Sequence, residues 1–335
     1  MSTNDICSTP HLAEANSTVA AVRANTLAAK CSLLAELAKI RLTAMVVITT
    51  GVGFAISTAG LHHWLLLLWT VLGTWLLAAA AAAINQILEV APDSRMNRTC
   101  RRPLPAGELS RSSALIFAIV TAVSGAGLLL VLVNPLVAAL GAANLVIYAF
   151  IYTPLKPRTT LNTLVGAICG AIPPMMGVAA ATGRLTAAAW LLGAVLFVWQ
   201  IPHFLALAWL YRDDYIRGGF RMLPVIDPAG RITCLMIVLY SVLLIAVTLG
   251  LAFFGVAGGW YAPLATVLGL LLLVQGLRLA ADHTRESARR VFLASVLYLP
   301  ALLVLLLVCH TPVHATVASA APVATAPVQL TPAGQ

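Results

Sequence analysis

The sequence predicts an all-α fold, a polytopic transmembrane bundle of about nine helices, and three observations carry that expectation. Of the 335 residues, 61% are hydrophobic and only 9% are charged, against about 25% charged in a soluble domain. Nearly uncharged apolar runs of roughly 18 residues or more, long enough to cross a hydrocarbon core as helices, recur from end to end. The remaining charges sit in short loops between those runs, where they set topology and meet phosphate groups. That placement assigns the net charge of +9 to membrane lipid and phosphate rather than to nucleic acid.

Taken in order, residues 1–34 are polar and expected to be flexible. They hold no short apolar core with a cleavage site, so no cleaved signal peptide is read. Arg23 and Lys30 among Ser, Thr and Ala would suit a weak organellar presequence, which Asp5 and Glu14 oppose. Residues 35–310 are assigned to the membrane domain. Spans are expected near 42–60, 64–88, 113–133, 135–152, 161–182, 187–210, 232–255, 260–280 and 291–309. The tail, 311–335, lacks charge and periodicity and is expected to be disordered. Cys7, Cys31, Cys100, Cys169, Cys234 and Cys309 form no CxxC pair and no metal-ligand spacing.

With these spans, all but Arg184 of the 20 basic residues fall on one side of the membrane. The positive-inside rule makes that side cytoplasmic, or matrix-facing in a mitochondrion, with the N-terminus inside. All 11 acidic residues fall there too. Acidic residues contribute little to topology, so this face is expected to carry the chemistry.

The loop after the second expected span reads NQILEVAPDSRMNRTCRRPLP, from Asn85 to Pro105. Asn85, Glu89 and Asp93 are four residues apart, which on a helix keeps them on one face with a drift of about 40° per step. Pro92 is expected to end the helix near Val90 and to put Asp93 on the following turn. Arg95, Arg98, Arg101 and Arg102 follow at once. Carboxylates and a carboxamide suit Mg²⁺, and arginines suit phosphate oxygens. A solvated loop binding lipid headgroups would explain the arginines but not the acids and the amide.

A second acidic loop, YRDDYIRGGFRMLPV, runs from Tyr211 to Val225 after the sixth expected span. Asp213 and Asp214 diverge by about 100° on a helix; Asp214 is taken as the inward one, with Asp213 as the alternative. The two loops lie four spans apart, which predicts two pseudo-repeated four-helix halves, each presenting acids to a central cavity. Between them, Lys156 and Arg158 add cations on the same face. Gly166 and Gly170 form a GxxxG step that permits close packing, and Pro173 and Pro174 kink the fifth span. His203, in WQIPHF on the sixth span, marks a functional position, because ionisable groups inside a span are costly. A hydrogen bond to a neighbouring helix is its bland alternative. His62 and His63 read as interfacial, and His310 and His314 suggest nothing.

Three blocks in order resemble the UbiA-type prenyltransferases, in their haem O synthase branch. The first is Asn85-x-x-x-Glu89-x-x-x-Asp93 with Arg95-Met96-x-Arg98-Thr99 and Arg102-Pro103-Leu104-Pro105. The second is Tyr152-Thr153-x-Leu155-Lys156 with Asn162, Gly166, Gly170-Ala171-x-Pro173-Pro174 and Gly177. The third is Trp199-Gln200-x-Pro202-His203-Phe204 with Asp214-Tyr215 and Met222-Leu223-Pro224-Val225. The resemblance covers roughly residues 35–310. It implies Mg²⁺ held by Asn85, Glu89, Asp93 and Asp213 or Asp214, and farnesyl diphosphate met by Arg95, Arg98, Arg102, Lys156 and Arg158. It also implies haem b, a substrate and not a cofactor, held near Trp199, Gln200 and His203 through iron or a propionate. The implied reaction adds the farnesyl chain and water to the 2-vinyl group, giving haem O for a haem A synthase to take up.

Two positions depart from the family pattern. Glu89 stands where Asp is usual, and Pro157 where a basic residue commonly follows the lysine. The alternatives are a family member with another aromatic acceptor, which WQIPHF opposes, and a non-catalytic haem- or lipid-handling membrane protein. Transport would need polar residues threading to the far face, whose loops are nearly bare. A bacterial inner membrane is the expected location, ahead of a mitochondrial one.

Overall fold

The computed structural model describes residues 27–58 and 63–311. Most of the expected N-terminal segment, the tail from residue 312, Cys7, His62 and His314 lie outside the described residues. The chain is a polytopic helical membrane protein. Its helices are α1 (Leu27–Leu37), α2 (Ile40–Ala55), α3 (Trp64–Leu88), α4 (Val90–Arg95), α5 (Arg111–Leu132), α6 (Pro135–Leu155) and α7 (Asn162–Thr182). They continue as α8 (Ala187–Leu210), α9 (Arg212–Gly218), α10 (Leu223–Ile226), α11 (Arg231–Phe253), α12 (Tyr261–Asp282) and α13 (Arg285–Cys309). Among the described residues there is no β-strand, only an isolated bridge between Ala257 and His310.

Among the described residues, eight helices are long and apolar enough to cross a membrane: α3, α5, α6, α7, α8, α11, α12 and α13. The first expected span, 42–60, is the 16-residue α2. At 1.5 Å per residue it extends about 24 Å, short of a hydrocarbon core of about 30 Å. Four of the long helices start on a Ser, Thr or Asn whose side chain accepts the N–H three residues on: Ser110, Asn134, Thr186 and Thr284. These caps satisfy backbone donors that a helix leaves open at its N-terminus.

The helices pack as two rings. In one, α3 lies against α5, α5 against α6, α6 against α7, and α7 against α3; in the other, α8, α11, α12 and α13 close in the same cyclic order. Each ring begins with the helix that leads into an acidic loop, so the pseudo-repeat expected from the loop spacing is present. The first ring closes on Leu77, Leu129, Val137 and Met176, the second on Leu192, Leu244, Leu272 and Leu299. Side chains such as Val131, Phe253, Leu297 and Val308 stay exposed on the outside, as helices surrounded by lipid allow.

α7 joins the rings by packing on α8, and α2 lies along α7. Small residues permit that contact. A Cβ on Gly177 would lie 1.9 Å from the Thr50 carbonyl oxygen, and one on Gly53 would lie 2.2 Å from that of Pro174. The stretch of α7 around Pro173 and Pro174, which stays helical, therefore faces a partner helix, where missing backbone donors are tolerated in a membrane.

Candidate active site

α3 and α4 bring the first acidic loop to the surface. Residue 92 cannot donate an amide hydrogen to the Leu88 carbonyl, and the helix breaks at Glu89 (φ −101°, ψ 13°), before the proline. Pro92 then occupies the first turn of α4, where a missing N–H costs little. The break at Glu89 falls beside the stop expected near Val90, and Asp93 sits on the following helical turn, α4, which carries it inward to full burial.

Asn85, Glu89 and Asp93 share one pocket, and a cation meets each of them. Lys39 Nζ donates to Asn85 Oδ1 at 2.8 Å. Lys156 Nζ lies 2.7 Å from Glu89 Oε1. Arg102 donates to Asp93 Oδ2 at 2.6 Å. Asn85 also donates through Nδ2 to Thr153 Oγ1 at 3.1 Å. Asp93 Oδ1 is buried and, among the described residues, has no hydrogen-bond partner. An acceptor left bare beside two more oxygen-bearing side chains fits a hard divalent cation.

Among the described residues, no three His, Cys, Asp or Glu side chains converge as a complete cation site. Mg²⁺ does not require one, because it commonly takes one or two carboxylates and completes its shell with water and substrate phosphate. The residues present thus suit Mg²⁺ arriving with a phosphorylated ligand.

Lys39 stands between α1 and α2 with φ 50° and ψ 54°, a left-handed conformation unusual for a residue with a Cβ. That turn accompanies the placement of its side chain in the pocket. Burial, with Arg102 and Lys156 nearby, pushes its ammonium down to about 7. Burial would also lower Lys156, but the Glu89 carboxylate outweighs it and holds that ammonium above its ordinary value. Lys156 Nζ also lies 4.6 Å from the Tyr152 ring centre and 5.6 Å from that of Phe220.

Tyr148 and Tyr152 enter the pocket from α6, which widens into a π-helical turn over Ile147–Tyr152. Pro154 lacks the N–H that would bond the Phe150 carbonyl in an α-helix, and Thr153 Oγ1 donates to the Tyr148 carbonyl at 2.9 Å. The two rings stand 5.3 Å apart.

The second acidic loop closes over the first. α9 packs against α4, and Asp214 Oδ1 accepts from the Asn97 backbone at 3.0 Å and from Arg217 at 2.5 Å. Arg98 donates to Tyr215 Oη at 3.2 Å and stacks on Tyr211 and Tyr215. The Arg221 backbone donates to the Lys156 carbonyl at 2.8 Å, tying the loop after α6 into the same cluster. Of the two aspartates, Asp214 is buried and Asp213 exposed.

The expected residues thus divide. Asn85, Glu89, Asp93, Arg98, Arg102 and Lys156 line one pocket. Asp214 lies behind its wall. Arg95 and Arg158 are exposed and line no part of it. Trp199 and His203 pack from α8 toward α13, and Gln200 fills the space beside Gly170 of α7. Residues whose part sequence reasoning missed are Lys39, counted there among topology-setting charges, and Tyr148 and Phe220. An aromatic pair spaced i, i+4 before Thr153-Pro154 was the one available signal for Tyr148.

The profile of the UbiA prenyltransferase family matches residues 46–299. The protoheme IX farnesyltransferase of Solibacter usitatus is 44% identical over 274 residues, spanning 79% of this chain and 94% of that protein. The mitochondrial protoheme IX farnesyltransferase of Homo sapiens is 45% identical over 281 residues, 84% of this chain and 62% of that longer protein. Among solved structures, a digeranylgeranylglyceryl phosphate synthase superposes with a TM-score of 0.72 at 17% identity, covering 84% of this chain and 98% of that one. A UbiA homolog from Archaeoglobus fulgidus bound to GPP and Mg²⁺ gives 0.57 at 14% identity, covering 82% and 99%. At these identities the structures show a shared fold.

Proposed function

The chain belongs to the UbiA prenyltransferase family and is a membrane transferase, and from that premise we propose that it joins the farnesyl group of farnesyl diphosphate to the 2-vinyl group of haem b, with addition of water, to give haem O. The carrying observation is the single pocket in which Asn85, Glu89 and Asp93 face Lys39, Lys156 and Arg102 at 2.8, 2.7 and 2.6 Å. Support for donor and acceptor comes from the relatives, which are protoheme IX farnesyltransferases in a bacterium and in human mitochondria.

Asn85, Glu89 and Asp93 would hold Mg²⁺, while Asp214, which does not line the pocket, fastens the second loop to the first through Oδ1. When bound, the metal supplies positive charge beside the leaving diphosphate. Lys156 and Arg102 would turn from Glu89 and Asp93, Lys39 from the Asn85 carboxamide and Arg98 from the Tyr215 hydroxyl, to the phosphate oxygens, so the anion departs into donors already in place. The bond from the farnesyl carbon to the diphosphate oxygen breaks with both electrons leaving on oxygen. The Tyr148 and Tyr152 rings line the space beside the resulting allylic cation and stabilise it through their faces while keeping water away. The vinyl π-electrons then form the new carbon–carbon bond. Water captures the cation left beside the porphyrin and gives up a proton.

In this reading the basic face is cytoplasmic in a bacterial inner membrane, and a haem A synthase takes the product. The test is product analysis. Membranes containing the chain, given haem b, farnesyl diphosphate and Mg²⁺, should yield a haem heavier by one farnesyl group plus one hydroxyl in mass spectrometry. No adduct, with both substrates shown to bind, would move the assignment to another acceptor.

A further inference from the structure

The environment of His203 settles which of its nitrogens carries hydrogen. Its Nδ1 lies 2.9 Å from Ser295 Oγ on α13. Ser295 is fully buried, and its hydroxyl lies 2.6 Å from the Phe292 carbonyl oxygen. Two oxygens at that distance repel unless a proton lies between them, and the carbonyl has none to give. The serine proton is therefore spent on Phe292. Ser295 Oγ can meet Nδ1 only as an acceptor, so Nδ1 carries the hydrogen.

The rest of the ring is fixed as well. Trp199 stacks on it with centres 4.9 Å apart and planes 19° apart, and Phe292 stacks at 5.0 Å and 28°. The Trp199 indole N–H donates to the Ser295 carbonyl at 2.8 Å, so Ser295 is held from both ends. Nε2 makes no hydrogen bond among the described residues and is not sealed from the surface. Among the described residues no carboxylate contacts the ring to hold a second proton there. The free edge thus presents a lone pair.

We infer that Ser295 is a positioning residue: it locks His203 in the Nδ1–H tautomer so that Nε2 ligates the iron of the acceptor haem. This rests on the reading of haem b as acceptor, and it separates two ways in which His203 could hold that substrate. A propionate needs a donor, which Nε2 in this tautomer lacks; iron needs the lone pair it presents. A hydrogen bond from Nδ1–H to a fixed acceptor also orients a ligating imidazole and raises its basicity.

The experiment titrates haem b into the full chain in detergent and records absorption, electron paramagnetic resonance and, after reduction, the Fe–His stretch by resonance Raman. The parent should show an imidazole-ligated haem. His203→Ala should lose that signature and regain it with added imidazole. Ser295→Ala should bind haem about tenfold more weakly and lower the Fe–His frequency, whereas Ser295→Thr, which keeps the hydroxyl, should match the parent. An unchanged spectrum in His203→Ala, with farnesyl transfer intact, would overturn the iron ligation and leave the proposed reaction standing. Loss of the signature in His203→Ala with a parental Fe–His stretch in Ser295→Ala would overturn the role of Ser295. Failure of the parent to bind haem b at all would overturn both the ligation and the acceptor.

Discussion

Nζ of Lys156 lies 2.7 Å from Oε1 of Glu89, joining the end of α6 to the end of α3 with side chains only 11% and 6% exposed. Breaking a buried pair by removing one partner costs about 3–5 kcal/mol, because the other charge stays buried alone. Lys156→Met should therefore lower the thermal midpoint of the protein in detergent, and Lys156→Arg should lower it less. A midpoint equal to the parent's in Lys156→Met would show that Glu89 is solvated on its own.

Arg102 holds Asp93 Oδ2 while Oδ1 stays bare. Half of the acid is therefore occupied until a phosphate draws the arginine away, so Mg²⁺ and diphosphate should bind far better together than separately. In calorimetry, Arg102→Gln should bind Mg²⁺ alone more tightly than the parent and diphosphate more weakly. Parental values for both would refute the exchange. Asp93→Ala should remain folded and inserted but lose Mg²⁺-dependent turnover.

Lys39 titrates near 7 in the ligand-free protein, so above that pH its side chain is mostly neutral. Diphosphate favours the ammonium and raises the pKa of the complex. Binding between about 7 and the ordinary lysine value of about 10.4 should then take up a proton. Calorimetry in buffers of different ionisation enthalpy reads that uptake directly. Lys39→Met should abolish it, and identical proton counts in parent and variant would exclude Lys39 as its source.

Gly166 and Gly170 are more than a packing step. A Cβ on Gly166 would lie 2.8 Å from the Tyr152 ring, and one on Gly170 would lie 2.1 Å from Gln200 Nε2. Gly166→Ala should displace Tyr152 from the pocket and depress turnover about tenfold or more, while Gly127→Ala, with nothing within 4 Å, should not. Turnover in Gly166→Ala equal to that in Gly127→Ala would remove Tyr152 from the reaction.

The spans were legible because apolar runs and flanking charges are local signals, and the Asn85, Glu89, Asp93 spacing was legible for the same reason. What remained hidden depends on contacts between distant segments. Lys39 meets Asn85 across 46 residues through a left-handed turn, and as a charge before a span it looks like any topology determinant. Tyr148 reaches the pocket from a π-helical turn that no α-helical periodicity contains. Arg95 and Arg158 were included because an arginine-rich loop does not reveal which members face the pocket. Pro92 marked the break in the helix, since a proline disturbs the turn before it, but gave no sign that Asp93 is buried on the turn that follows.

Asp213 and Asp214 are adjacent in sequence and differ in surroundings, which makes them a matched pair. Asp214 is buried and accepts from Asn97 of the first loop and from Arg217, whereas Asp213 is exposed. Removing an anion that accepts two hydrogen bonds, one of them from an arginine, costs about 1.5–3 kcal/mol per charged bond. Asp214→Asn should loosen the contact between α4 and α9, speed hydrogen exchange at the Asn97 amide and lower turnover at least tenfold. Asp213→Asn should stay within about twofold of the parent, as exposed polar substitutions usually do. Equal losses from the two variants would mean that both carboxylates reach the bound metal, and that the second loop turns inward when the substrates bind.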